Sequence, residues 1–132
     1  MITNKIARLL SRYFKVNDNV KNKEAITKYT ELIVELWKYG CSDDIFNFLG
    51  NVGVDNSKHV IMIDLGEFVF SKDLVELSVR SKSWLSQPSY IFFTDIELKD
   101  HFRKEMDRLV TVENLNRYWE LKIDLKFKSQ SF

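Results

Sequence analysis

The stretch NVGVDNSKHVIMIDLGEF, residues 51–68, decides how the rest of the chain is read. Val52 and Val54 alternate with Gly53 and Asp55, the period of two that a strand requires. Asp55, Asn56, Ser57 and Lys58 supply turn chemistry. The run HVIMI that follows is β-branched and nearly all apolar, as in a strand buried on both faces. The pattern predicts a β-hairpin over about 51–64. Asn51 stands at its opening, and its second strand runs out on Asp64-Leu65-Gly66.

On either side of the hairpin the period is helical. Residues 2–15 place Ile2, Ile6, Leu9, Leu10 and Tyr13 on one stripe, and KVNDNVKNK after them reads as a loop. Residues 23–39 give the clearest helix, with Ile26, Tyr29, Ile33, Leu36 and Trp37 along one side. Gly40 then stands where a helix C-terminal glycine belongs. SDDIFNFL adds a short helical turn, with Ser42 as cap and Asp43 and Asp44 at its positive end. Beyond the hairpin, Ser71 caps a helix over 72–80 that turns Leu74, Val75 and Leu77 inward. SWLSQPSYIFF is irregular and aromatic. Thr94-Asp95-Ile96-Glu97 reads as a capping box opening a helix that buries Leu98, Phe102, Met106 and Leu109. Thr111 caps another, with Val112, Leu115 and Trp119 on one side. LKIDLKFK, residues 121–128, alternates strictly and predicts a C-terminal strand. The expectation is a mostly helical α+β fold, a single domain over 1–132, with one central hairpin and a terminal strand.

Composition agrees with that fold class. Only four Gly and one Pro in 132 residues argue against a loop-rich sandwich and for helices. No apolar run approaches the roughly 18–20 residues that span a bilayer, and charges interrupt the apolar stretch of residues 1–15, unlike a secretory signal. No membrane association is expected. Cys41 is the single cysteine and has no internal disulfide partner, which suits a reducing cytoplasm. Twenty basic residues against nineteen acidic ones leave a formal charge of +1, so no global field draws in nucleic acid. Lys5, Arg8, Arg12 and Lys15 read as the solvated face of the first helix.

The order of these parts resembles the helical lobe of protein-kinase-like phosphotransferases. In that family a long helix leads to a catalytic loop ending in asparagine, a short hairpin follows, and its second strand ends in Asp-Phe-Gly. Here helix 23–39 with Gly40 is similar to the leading helix, Asn51 to the loop asparagine, and Asp64-Leu65-Gly66 to the metal-binding triplet. The interval from Asn51 to Asp64 equals the family's. The resemblance places the lobe core at about 24–110. It implies Asn51 and Asp64 as magnesium ligands, with Gly66 letting the backbone turn away from the ion, and ATP as the phosphate carrier. The chain departs from the family where catalysis needs it. The position five before the asparagine, where the family has its catalytic aspartate, is Phe46, and Asp44 is the nearest candidate base. Nothing upstream matches a glycine-rich phosphate loop and strand lysine. The expectation is therefore a degenerate or partial kinase-like domain, without a resident cofactor as an isolated chain, acting through a protein partner. The alternative of a different class is an immunity- or antitoxin-type protein that binds and inhibits a toxic enzyme. His59, His101 and Cys41 lack paired ligand spacing and read as ordinary side chains rather than a zinc site.

Overall fold

The computed structural model of the chain describes residues 8–43, 46, 52–62, 68–91 and 93–122. The fold is mostly helical α+β. In chain order the elements are β1 (Arg8–Leu9), α1 (Leu10–Val16), α2 (Asn19–Trp37), β2 (Ser42–Asp43), β3 (Val52–Val54), β4 (Val60–Met62), β5 (Phe68–Val69), α3 (Lys72–Ser81), α4 (Pro88–Ile91), α5 (Ile96–Leu109) and α6 (Val112–Tyr118), with a 3-10 turn at Ser83–Ser86. Among the described residues no helix is long and apolar enough to cross a membrane.

The axis of the domain is α2. Ile26, Tyr29, Ile33 and Trp37 recur every three or four residues and, with Ala25, are all buried. α5 lies along it and contributes Leu98, Phe102 and Met106. The Phe102 ring stacks at 6.4 Å on Tyr29 and meets Tyr90 of α4 at 6.0 Å. Each such side chain taken fully out of water stabilises the fold by roughly 1.5–3 kcal/mol. Glu97, in the first turn of α5, accepts from Asn19 Nδ2 at 2.9 Å and pairs with Lys23, tying the N-terminal ends of α2 and α5 together.

Two segments differ from their sequence reading near the N-terminus. Arg8 and Leu9 are not helical. They pair antiparallel with the hairpin edge, Arg8 opposite Val54 and Leu9 opposite Gly53, so α1 begins only at Leu10. The predicted loop KVNDNVKNK shrinks to a corner at Asn17 and Asp18. Asp18 accepts from the Lys21 N–H at 3.0 Å and starts α2 four residues earlier than periodicity alone places it. The Asn22 amide closes the corner, donating to the carbonyls of Phe14 and Asn17, each at 3.1 Å.

The later helices follow their caps more than their apolar letters. Ser71 accepts from the Leu74 N–H at 3.3 Å and opens α3 as expected. The buried positions of α3 are Val75 and Val79, however, and Leu74 and Leu77 face solvent at 57% and 64% exposure. The cap of α5 is Asp95, accepting from the Leu98 N–H at 3.1 Å, rather than Thr94. The irregular aromatic stretch folds into the 3-10 turn and α4. Of the expected terminal strand, Leu121 and Lys122 lie in a helical turn, and 123–128 lie outside the described residues. That turn covers the end of α2: Glu120 N–H donates to the Trp37 carbonyl and Lys122 N–H to the Lys38 carbonyl, both at 2.9 Å. A helix end leaves such carbonyls without intrahelical partners, so these bonds outweigh the period-two pattern at its first two residues.

Candidate functional site

The hairpin read from the sequence is present. β3 and β4 pair antiparallel with Val52 opposite Met62, Gly53 opposite Ile61 and Val54 opposite Val60. Its turn is fixed by one side chain. The Asp55 carboxylate accepts from the N–H groups of Ser57 and His59, both at 2.9 Å, while the Asp55 N–H donates to the His59 carbonyl at 3.0 Å. The His59 backbone bond foremost, with the Ser57 bond and the His59 ring charge, holds the Asp55 carboxyl below the usual carboxylate range. Lys58 sits at φ 68°, the left-handed conformation that this turn demands.

A second pairing brackets the hairpin. The chain leaves α2, reverses at Gly40 with φ 76°, and enters β2. β2 pairs antiparallel with β5, Ser42 opposite Val69 and Asp43 opposite Phe68. Segment 44–51 therefore runs from β2 to β3, and segment 63–67 runs from β4 to β5. One pair joins their ends on one side, and the other pair joins them on the other. The sequence reading placed Ser42 and Asp43 at the start of a helical turn; they are strand residues, both buried.

Entry into segment 44–51 is held by a buried polar group. The Tyr29 hydroxyl of α2 donates to Asp43 Oδ2 at 3.0 Å, and Asp43 Oδ1 accepts from the Phe46 N–H at 3.1 Å. Trp37 Nε1 donates to Ser42 Oγ at 3.0 Å. Phe46 takes φ 52°, an uncommon conformation for a bulky residue. Its ring is 1% exposed and meets Trp84 edge-on, with centroids 5.5 Å apart and planes at 79°. Burial raises the Tyr29 phenol well above its ordinary pKa, and the neighbouring Asp43 charge and hydrogen bond add to that. Cys41, just before β2, is buried against the Leu36 carbonyl at 3.7 Å, and burial pushes its thiol up.

The residues named for chemistry fall unevenly on this frame. Asp44, Asn51, Asp64 and Gly66 all lie outside the described residues. The described residues adjoining them belong to the two strand pairs or are fixed by them. Phe46, at the family's catalytic aspartate position, is a core residue. His101 Nε2 lies 2.9 Å from Thr27 Oγ1, and His59 belongs to the hairpin turn. Among the described residues no three His, Cys, Asp or Glu side chains gather into a metal-holding group. Two features escaped the sequence reading. One is the Tyr29–Asp43 pair, because Tyr29 reads as ordinary core at helical spacing. The other is a lysine-rimmed pocket at the hairpin turn, because its residues come from three elements.

Comparison with protein-family models, with curated proteins and with solved structures finds no match for the chain.

Proposed function

We propose that the chain is a kinase-like helical lobe without a catalytic base. Asn51 and Asp64 hold a magnesium-bound phosphate group, and a protein partner completes the nucleotide site. The observation that carries this reading is the double strand pairing. Segments 44–51 and 63–67 start and finish on residues that face each other across a strand pair, Asp43 with Phe68 and Val52 with Met62. A carboxylate and an amide on two segments held together at both ends suit one hard cation. The core position of Phe46 supports a role in binding rather than in phosphoryl transfer, which needs a base or orienting group there. Such a domain works in the cytoplasm, where ATP and magnesium are at hand.

Isothermal titration of the whole chain with ATP, with and without magnesium, tests the reading. Saturable binding is expected only with magnesium, lost in Asp64→Ala and Asn51→Ala, with no ATP turnover. Absence of magnesium-dependent binding in the unmodified chain rejects the ligand set.

A second reading, an immunity- or antitoxin-type inhibitor of a toxic enzyme, is favoured by one observation. Leu74 and Leu77, one turn apart on α3, are 57% and 64% exposed, and Phe70, just before the helix, is 72% exposed. Exposed apolar residues grouped on one face mark protein-binding surfaces. That reading predicts a captured partner whose retention is lost in Leu74→Ser with Leu77→Ser and is unaffected by Asp64→Ala.

A further inference from the structure

The closed end of the hairpin, away from Val52 and Met62, meets α1 and the first turns of α2 around a pocket of about 140 Å³. Its walls are apolar: Tyr13 of α1, Ala25 of α2 and Val54 of β3 are buried, and Val60 of β4 is half-buried. A dry cavity of about 150 Å³ takes one benzene ring, so the volume suits a group of that size. Ala25 matters here because any larger side chain at that point of α2 would fill the space.

The rim is cationic. Lys21 and Lys28 lie two turns apart on one face of α2, with Glu24 between them, and Lys58 reaches the same pocket from the hairpin turn. Lys28 Nζ donates to the Lys58 carbonyl at 3.3 Å, which holds one ammonium group at the mouth. Lys23 of the same helix pairs with Glu97, yet Lys21, Lys28 and Lys58 enter no ion pair among the described residues. Three ammonium groups against the Glu24 carboxylate, with Asp18 also near enough to act on Tyr13, leave the mouth net positive. Like charges converging on one concavity raise its potential and concentrate an anion there. Tyr13 adds a donor. Burial first, then the Glu24 and Asp18 carboxylates, hold its phenol protonated above the ordinary range.

We infer that this pocket binds a single-ring aromatic phosphomonoester, the ring against Ala25 and Val54 and the phosphate among Lys21, Lys28 and Lys58. The three lysines decide for phosphate over carboxylate: a phosphomonoester offers about −1.5 to −2 of charge at neutral pH and three acceptor oxygens to them. The site is independent of the magnesium reading, since three-residue strands, roughly 10 Å long, separate the two ends of the hairpin.

Methyl-detected NMR titration of the full chain with phenyl phosphate tests it. Saturable shifts centred on Ala25, Val54 and Val60 are expected. Lys28→Ala with Lys58→Ala, both at exposed positions, should weaken binding by about tenfold or more while the spectrum stays folded. Inorganic phosphate and phenol, each keeping half of the ligand, should bind at least about tenfold more weakly. A phosphotyrosyl peptide binding more tightly than phenyl phosphate upholds the site with a polypeptide as its source; equal affinity upholds it with a free small molecule. No saturable shift, or unchanged affinity in the double variant, overturns the site. Inorganic phosphate binding as tightly as phenyl phosphate overturns the role of the ring.

Discussion

Asp43 accepts from two donors far apart in the chain, and both bonds are buried. Tyr29→Phe removes the hydroxyl and leaves the carboxylate short of a donor, which should cost about 1–3 kcal/mol in urea unfolding. The same variant has a pH signature. The Tyr29 phenol is raised in the folded state, so its contribution is full below the unfolded value near pH 10 and is lost as pH rises from there towards the folded value. The unmodified chain should lose stability above about pH 10 more steeply than Tyr29→Phe does. Phe46 supplies the second prediction. Phe46→Asp, which places at this position the aspartate that kinase-like lobes carry, should not create a kinase. It removes a packed ring, worth about 3–5 kcal/mol, and places a second carboxylate beside Asp43, so circular dichroism should show unfolding. The absence of an aspartate at position 46 is legible in the sequence. The role of Asp43 is not, because an acidic pair after serine looks the same at a helix start and in a strand. The pairing with Phe68 and the hydroxyl of Tyr29, fourteen residues earlier, tell them apart.

At the scale of elements, the stripes of α2 and α5 were legible, though Leu109 is only half-buried, while α3 was read correctly at Val75 alone. α2 and α5 each bury a single stripe. α3 offers Leu74 with Leu77, and Val75 with Val79, and periodicity permits either. Its packing against α6 and the 3-10 turn selects the valines. Val75→Ala should therefore cost about 2 kcal/mol, while Leu74→Ser and Leu77→Ser should stay within about 0.5 kcal/mol of the parent in thermal or urea unfolding. A cost at Leu74 and Leu77 as large as at Val75 would restore the sequence reading. β1, β2 and β5 were illegible for another reason: a two-residue strand has no period to read, and only its partner defines it.

Across the whole molecule, the helices and the hairpin were written locally, while the ties between them were not. The order of helix and hairpin follows from the sequence, but the β2–β5 pairing that brackets the hairpin is a long-range contact. The lysine-rimmed pocket is of the same kind, since no segment of α1, α2 or the hairpin holds enough of it to show. Cys41 gives that closure a built-in clock. The sulfur is shielded between the end of α2 and β2, and its thiol is reluctant to ionise, so an alkylating reagent gains access only in the moments when β2 peels from β5. Mass spectrometry of iodoacetamide uptake should show slow labelling of the native chain and faster uptake in Tyr29→Phe. Equal rates in both would mean that the sulfur is reached without releasing the strand. A single atom thus reports, with no dye or tag, how often β2 lets go of its partner strand.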